Sequence, residues 1–325
     1  MTSASITVVA VVSAITAWLL LALVRRSGLA ERIALDRPNA RSLHKGVVPR
    51  VGGLAVIGIT AIVGLVAPTS LPIVASMAGA LMLLGWLDDR CGLPVSVRLA
   101  SHLLAAGAAA VLLAPAAPAW QWLALTLVLT WAMNLYNFMD GADGLAGGMA
   151  VFGFGAYAVA AYLADIPGPA LLSASVAGAA AGFLPHNVAP ARVFLGDAGS
   201  VPLGFLAGVL GVVGWTAGAW PAWFPLLVFS PFVVDASVTL LRRALRGERV
   251  WLAHREHLYQ RMVRSGLGHG RTAALWYLAM AAAAASALAA LSWPNIAQFG
   301  VLLAWIALYA TVFALTWRLG PQPDR

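Results

Sequence analysis

The chain has 325 residues, of which 61% are apolar and only 10% charged, and its formal net charge is +8. Soluble domains carry roughly 25% charged residues, so this composition excludes a soluble protein and indicates a polytopic membrane protein. A nucleic-acid-binding protein is excluded as well, because the basic residues are interrupted by apolar segments and form no independent domain. We therefore interpret residues 1–325 as a single integral-membrane domain.

Apolar segments of membrane-spanning length recur along the whole chain. Since a helical span needs roughly 17–25 mostly apolar residues, they predict an all-α bundle of about eleven transmembrane helices. The predicted spans are 5–24, 51–67, 71–87, 99–114, 119–136, 147–163, 168–185, 201–217, 219–240, 272–291 and 295–317.

The basic residues predict the orientation of these spans. All 20 Lys and Arg residues lie in the longer polar loops or after Trp317, and the short turns on the opposite side have none. By the positive-inside rule the polar loops are cytoplasmic, the N-terminus is outside and the C-terminus is inside. The loops that we expect to build a site are 25–50, 88–98, 134–147, 186–200 and 241–271.

The first two of these loops contain groups suited to phosphate and metal ions. Lys45 precedes the glycine pair Gly52-Gly53, a combination that suits phosphate binding, although a plain positive-inside loop explains the charge equally well. The adjacent acids Asp88 and Asp89 repel each other unless a cation neutralises them. They suit Mg²⁺ or Mn²⁺, or one of them acts as a base; the alternative is an exposed pair that caps the next helix.

The third loop carries two amides and two acids between long apolar segments. Asn134 and Asn137 are three residues apart and can bind a base, a sugar or a neighbouring acid. Asp140 and Asp143 have the same spacing, and an acid at a membrane edge needs a partner. We predict a divalent cation carrying phosphates, which makes Asp140 a candidate metal ligand. A glycine-rich turn alone does not explain four polar groups.

The fourth and fifth loops add an aromatic ring, another acid and two histidines. Phe194 and Asp197 could supply a stacking surface and a metal ligand, although an interfacial anchor would explain Phe194 alone. His254 and His257 flank Arg255 at a spacing that fits zinc or phosphate. Without a nearby Cys or a third His, phosphate is the better ligand.

Taken together, these motifs resemble the polyprenyl-phosphate N-acetylhexosamine-1-phosphate transferases, within glycosyltransferase family 4. The resemblance runs from Asp36 to segment 254–261, with five motifs in the family's order. The most specific motifs are Asn137-x-x-Asp140-Gly-x-Asp143-Gly and Phe194-x-Gly-Asp197-x-Gly-Ser200. The Asp88-Asp89 pair and Pro49-x-x-Gly52-Gly53 support them.

The resemblance implies a multi-pass enzyme of the bacterial inner membrane with its active site on the cytoplasmic face. It implies that undecaprenyl phosphate attacks the sugar-linked phosphorus of a UDP-N-acetylhexosamine, giving a lipid-diphosphate sugar and UMP. The implied cofactor is Mg²⁺, with Mn²⁺ as the alternative. The expected partners are the two substrates, membrane lipids and, in a homodimer, a second copy of the chain, but not nucleic acid.

The same resemblance implies roles for individual residues. Asp197 is the implied metal ligand, and Asp88, with Asp89 beside it, is the acid that orients or deprotonates the lipid phosphate. His257 matches the first histidine of the family's terminal cluster and is, with these three acids, an expected catalytic residue. The implied substrate-binding residues are Lys45 near the diphosphate, Asn137, Asp140, Asp143 and Asn187 around the nucleotide, and Phe194 stacked on uracil.

The chain departs from the family's pattern at Tyr259 and Gln260, where many members have further histidines. This departure disfavours the phospho-N-acetylmuramoyl-pentapeptide transferase, which has three consecutive histidines, and favours a branch associated with O-antigen assembly. The donor sugar stays open among N-acetylglucosamine, N-acetylfucosamine and N-acetylquinovosamine. A lipid-linked sugar transporter or flippase is the alternative of a different class, but such a protein needs its polar site near the midplane.

Overall fold

The computed structural model describes residues 3–36, 46–67, 71–250, 252 and 254–318, and Lys45 lies outside them. Two short antiparallel strands, β1 (Leu35–Asp36) and β2 (Val48–Pro49), pair within the first polar loop. The helices found in the described residues are α1 (Ser3–Arg26), α2 (Ala30–Ile33), α3 (Gly52–Val66), α4 (Pro72–Cys91), α5 (Val95–Leu113), α6 (Ala119–Phe138), α7 (Leu145–Leu163), α8 (Pro167–Asn187), α9 (Asp197–Thr216), α10 (Trp223–Val228), α11 (Ser230–Leu245), α12 (Leu258–Met262), α13 (Gly268–Ala290) and α14 (Asn295–Arg318).

The all-α membrane architecture is confirmed. Within the described residues, eight helical segments are long and apolar enough to cross a membrane. They are α1, α4, α5, α7, α8, α9, the segment Leu258–Ala290 that joins α12 to α13, and α14. Each predicted span contains a helix, but the ninth, 219–240, is divided between α10 and α11 at Phe229. The count of eleven spans and the orientation stay predictions.

Helix ends follow the local sequence. Proline occupies the first turn of α4, α8 and α11, where its fixed φ suits a helix start and no backbone donor is lost. Gly92 ends α4 in the left-handed conformation at φ +69°, and Gly196 precedes α9 at φ +72°. These two glycines therefore set where the acid pair and Asp197 lie on their helices.

Helix α9 lies at the centre of the bundle and packs against α3, α4 and α6. Close approach depends on small residues: a side chain at Gly53 would overlap the backbone of Gly199, and one at Gly85 the backbone of Asp197. The start of α9 is thereby held directly against the ends of α3 and α4 that carry the first two motifs. By contrast, α14 has most of its surface outside the bundle, with residues such as Ile296 and Leu303 exposed.

Candidate active site

The acid pair lies in the last turn of α4, which continues into the predicted loop 88–98 as far as Cys91. The side chain of Asp89 is fully buried. Its Oδ1 accepts from Arg50 Nη1 at 3.0 Å, and its Oδ2 accepts from the backbone N–H of Ala198 at 3.1 Å. Arg50 also pairs with Asp36 at 2.8 Å. Asp89 therefore fastens the first loop to the start of α9 and does not cap the helix that follows it.

Asp88 faces a different set of partners. Its Oδ1 accepts from the backbone N–H of Leu93 at 2.6 Å, and its Oδ2 lies 3.1 Å from Arg98 Nη1 in the first turns of α5. The same Arg98 nitrogen lies 3.6 Å from Oδ2 of Asp197. One guanidinium thus stands between two acids that belong to separate helices.

Asp197, the first residue of α9, is the point where three motifs meet. The Asn137 amide on α6 donates to Asp197 Oδ1 at 2.7 Å and to the Ser200 hydroxyl at 2.9 Å. Arg98 approaches the other Asp197 oxygen, and the side chain is 25% exposed. The backbone N–H of Ala198, next to Asp197, is already bound by Asp89. Asp197 is itself held by Asn137 and Arg98 but remains accessible to a ligand.

Asp140 lies between α6 and α7 and accepts no hydrogen bond from the part of the chain that the structure describes. Burial raises its pKa well above the ordinary value, and the charges of Asp197 and Asp89 raise it further, against the opposing effect of Arg50. A carboxylate so placed, beside a second partly exposed carboxylate, is a site that a cation would neutralise.

The donor set fits Mg²⁺ better than a metal that needs a complete protein cage. Among the described residues no group of three or more His, Cys, Asp or Glu side chains is arranged to hold a metal. Mg²⁺ usually takes only one or two carboxylates and completes its coordination with water and substrate phosphates. Asp197 and Asp140 are oxygen donors of this kind, so the residues present are compatible with the ion.

Two predicted nucleotide residues have structural partners. Asp143 Oδ2 accepts from the backbone N–H of Ala191 at 3.0 Å, and Oδ1 lies 3.4 Å from Nδ1 of His269. Asn187 is buried, accepting from the backbone N–H of Gly144 at 2.9 Å and donating to the carbonyl of Val193 at 2.9 Å. Asn187 therefore joins the third loop to the fourth, and a nucleotide contact from it stays a prediction.

The two asparagines of α6 diverge. Whereas Asn137 reaches Asp197, the amide of Asn134 donates to the carbonyl of Thr130 at 2.8 Å and lies 3.4 Å from Nδ1 of the buried His102. The structure thus does not bring Asn134 into hydrogen-bond contact with the acids, and its substrate role stays a prediction.

The segment before α9 is tied to the first loop. The backbone N–H of Phe194 donates to the Pro49 carbonyl at 2.9 Å, and its carbonyl accepts from Gly52 at 2.9 Å. The ring of Phe194 is half-buried. A partly accessible aromatic face near Asp197 suits a base, so the predicted stacking role stays compatible with the fold.

The histidine segment is positioned by α11. Asp235, buried in α11, accepts from the backbone N–H groups of Leu258 and Tyr259 at 2.8 and 3.2 Å and so caps α12. Glu256 forms ion pairs with Arg243 and Arg246 at the end of the same helix. Asp235 thus fixes the start of the helix that follows His257.

The rings of the segment face the third loop. His257 is buried and stacks between Phe138 and Tyr259, with ring centroids 6.2 and 6.0 Å away. The Tyr259 hydroxyl donates to the Phe138 carbonyl at 3.0 Å. Tyr259, which departs from the family's histidine pattern, therefore anchors the loop that carries Asp140.

His254 and Arg255 lie on the more open side of the segment and are half-buried. The His254 ring lies 4.7 Å from that of His257. Burial, followed by the electrostatic effects of the nearby His257 and Arg243, lowers the pKa of His254 to about 4. The ring is therefore neutral at physiological pH, and its Nδ1 accepts from the backbone N–H of Glu256 at 3.3 Å.

Comparison with known proteins identifies the family. The model of glycosyl transferase family 4 matches residues 71–215. A decaprenyl-phosphate N-acetylglucosaminephosphotransferase from Mycolicibacterium smegmatis is 31% identical over 299 residues, covering 75% of this chain and 72% of the relative. The chain belongs to glycosyl transferase family 4, the polyprenyl-phosphate sugar-1-phosphate transferases.

Other family 4 relatives carry related names. A probable undecaprenyl-phosphate N-acetylglucosaminyl 1-phosphate transferase from Bacillus subtilis is 29% identical, covering 84% of this chain and 81% of the relative. A phospho-N-acetylmuramoyl-pentapeptide-transferase from Picosynechococcus is 32% identical, covering 70% and 68%. The relatives thus include both N-acetylglucosaminyl 1-phosphate transferases and a muramoyl-pentapeptide transferase by name, the two types that the sequence pattern was used to distinguish.

The residues that sequence reasoning missed are those whose partners lie on another helix or loop. Arg98, Arg50 and His269 each contact an acid of a family 4 motif, at Asp88 and Asp197, at Asp89 and at Asp143. The only signal for Arg98 was a cation in the otherwise weakly basic second loop. No pattern in the sequence pointed to His269.

Proposed function

We propose that this protein transfers an N-acetylhexosamine-1-phosphate from a UDP-sugar to undecaprenyl phosphate and releases UMP. The observation that carries the proposal is the meeting of Asn137, Asp197, Arg98 and Asp88 from four helices of a family 4 chain. Phosphoryl transfer depends on positioning and on neutralising charge more than on covalent chemistry by the protein, and this cluster supplies both.

The reaction forms one phosphorus–oxygen bond and breaks another. An oxygen of the lipid phosphate attacks the sugar-linked phosphorus, and the bond from that phosphorus to the oxygen bridging the two donor phosphates breaks. The bridging oxygen leaves with UMP, and the sugar stays on the phosphorus that becomes part of the lipid diphosphate. No oxidant or further reactant is needed.

Asp88 is assigned to the lipid phosphate that attacks, and Asp197 is assigned to the diphosphate of the donor. Asp88, held by Leu93 and Arg98, orients the attacking lipid phosphate and accepts its proton where one is present. Arg98 offers further guanidinium N–H donors to phosphate oxygens. Asn137 keeps the Asp197 carboxylate in place while the diphosphate binds. Phe194, Asp143, Lys45 and the histidine segment complete the donor site in this proposal.

We assign Asp197, with Asp140 as a second ligand, to Mg²⁺. The ion, when bound, would neutralise charge on the diphosphate and polarise its phosphorus–oxygen bonds. The partly exposed carboxylate of Asp197 and the Asp140 carboxylate, which accepts no hydrogen bond from the described residues, support the assignment. Mn²⁺ has the same preference for oxygen ligands and is expected to substitute.

The proposed location is the bacterial inner membrane, with the site on the cytoplasmic face. The distribution of Lys and Arg supports this orientation, because the motifs and the basic loops share one side of the bundle. A soluble nucleotide sugar and a lipid phosphate at the interface would meet there. The proposed pathway is O-antigen or a related surface polysaccharide.

The test is UMP release by the purified chain in detergent or nanodiscs. We expect UMP only when undecaprenyl phosphate, Mg²⁺ and a UDP-N-acetylhexosamine are all present, with UDP-N-acetylglucosamine tried first because of the names of the relatives. Mass spectrometry identifies the lipid-linked product when several UDP-sugars compete. Absence of UMP and of lipid product across the whole donor panel would refute the proposal.

A second donor is favoured by one comparison. Because the Picosynechococcus relative is named for phospho-N-acetylmuramoyl-pentapeptide, the panel includes the corresponding UDP-linked muramoyl pentapeptide. Tyr259 and Gln260 argue against it, and a product carrying only the pentapeptide sugar would show that this argument is wrong. A transporter would instead move a labelled sugar into proteoliposomes without forming a new lipid.

A further inference from the structure

The loop between α6 and α7, residues 139–144, is held from both ends by segment 259–277, and the proposed reaction assigns no role to residues 262–277 of this segment. At its beginning the Tyr259 hydroxyl binds the carbonyl of Phe138 at 3.0 Å. At its end the Tyr277 hydroxyl binds the carbonyl of Gly144 at 2.7 Å. The loop is therefore positioned by segment 259–277, which contains His269.

His269 contacts the acid of this loop directly. The backbone N–H of Asp143 donates to Nδ1 of His269 at 3.1 Å, and the same nitrogen lies 3.4 Å from Asp143 Oδ1. The Oδ2 atom of Asp143 also accepts from the backbone N–H of Ala191 at 3.0 Å.

The chain is bent so that His269 reaches this position. A kinked segment, Val263–Leu267, follows α12, and Gly266 and Gly268 have φ values of +97° and +71°. Residues with side chains rarely adopt such values, so the glycines permit α13 to begin where His269 faces the loop. The side chains of His269 and Asp143 are only 18% and 11% exposed, and the contact is thus largely shielded from water.

We propose that His269 is a positioning residue for the donor nucleotide. It fixes the backbone at Asp143 and, through it, the direction of the Asp143 carboxylate and the fourth-loop N–H of Ala191. This inference rests on the proposed function, which places the nucleotide of the UDP-sugar beside Asp143. It predicts that His269 governs affinity for the donor and leaves affinity for the lipid acceptor unchanged.

The experiment compares three variants of the full chain, purified in detergent. His269→Ala removes the acceptor, and His269→Asn restores an oxygen near the position of Nδ1 that can accept the same N–H. Leu275→Ala is the matched control, because Leu275 is on the same helix and 48% exposed. The measurements are KM and kcat for UDP-N-acetylglucosamine and undecaprenyl phosphate, and the Kd of UMP by calorimetry.

We expect His269→Ala to raise the donor KM and the UMP Kd about 5- to 30-fold, as for the loss of one buried hydrogen bond. His269→Asn should recover most of this loss, and Leu275→Ala should match the wild type. An unchanged UMP Kd in His269→Ala, or equal losses for donor and acceptor in both His269 variants, would overturn the inference. If His269→Ala does not fold, His269→Gln serves instead. Its amide lies beyond the Nδ1 position, so the acceptor for the Asp143 N–H is lost while most of the side-chain volume is kept.

The calorimetric measurement separates this inference from the proposed function. A wild-type protein that binds UMP in a His269-dependent way but makes no lipid product would refute the proposed reaction and support the positioning role. A wild-type protein that makes the product, with His269→Ala unchanged in donor KM and UMP Kd, would support the proposed reaction and refute the positioning role.

Discussion

Separate replacements of Asp89 and Asp88 test whether, in the acid pair at the end of α4, Asp89 stabilises the fold and Asp88 takes part in the reaction. Both oxygens of the buried Asp89 have protein partners, Arg50 and the backbone N–H of Ala198. Asp88, one residue earlier, is held by Leu93 and by Arg98, which also approaches Asp197. We therefore expect Asp89→Ala to weaken the fold and Asp88→Asn to weaken turnover.

The expected loss of stability follows from the two contacts. A charge-assisted hydrogen bond to a buried group is worth about 1.5–3 kcal/mol. The Arg50 ion pair adds about 1 kcal/mol, because Arg50 is 29% exposed and keeps its pair with Asp36. Asp89→Ala should thus lower the free energy of unfolding by about 3 kcal/mol, and Asp89→Asn, which keeps an acceptor for Ala198, by about half as much.

The assay is denaturant unfolding of the purified chain in mixed micelles, with UMP release measured on the same samples. The double-mutant cycle of Arg50→Ala and Asp89→Ala should give a coupling of about 1 kcal/mol, since the residues are in direct contact. Asp88→Asn should unfold close to the wild type. If Asp89→Asn is as stable as the wild type and yet inactive, Asp89 acts in the chemistry and the structural assignment is wrong.

Three further outcomes follow from contacts in the site. Asn137→Ala should lower kcat about 100-fold with a small effect on melting, because Asp197 loses the amide that orients it; Asn137→Ala with wild-type kcat would refute this. Tyr259→Phe removes the hydrogen bond to Phe138 and should cost about 1 kcal/mol of stability, measured by thermal unfolding, whereas an unchanged melting temperature would show that the hydroxyl is dispensable. The pKa of His254 is lowered to about 4, so the unfolded chain, with a His pKa of about 6.5, binds more protons between these values. Stability should therefore fall as pH drops from about 6.5 towards 4, and His254→Gln should flatten that slope; a slope equal to the wild type's would contradict the assignment.

The helices and the motif positions could be predicted because they depend on local sequence. Apolar segments bounded by charged loops indicate spans, and glycine-rich acidic motifs indicate a ligand site. The break of the ninth span at Phe229 was missed, because the apolar composition of 219–240 outweighed the helix-start signal of Pro231. An apolar run alone cannot distinguish one helix from two.

Partners across the bundle could not be predicted from spacing. Asp88 and Asp89 are neighbours in sequence, but adjacent side chains on a helix point about 100° apart, so they meet different helices. Asn134 and Asn137 share a spacing that suggests a common face, yet one binds Thr130 within α6 and the other binds Asp197. Such contacts depend on how α4, α5 and α9 pack, which no local pattern specifies.

The start of α9 explains why Asp197, and not Asp89, is the acid available to a ligand. A helix N-terminus offers unpaired N–H groups and a positive dipole end, which would normally attract the nearest carboxylate. Here Asp89 already binds the N–H of Ala198, and Gly196 allows Asp89 to approach closely because it has no side chain. The N-cap position of α9 is occupied by Gly196, and Asp197 is the first helical residue. Its oxygens are directed instead to Asn137 and Arg98, two groups that can also bind substrate phosphates.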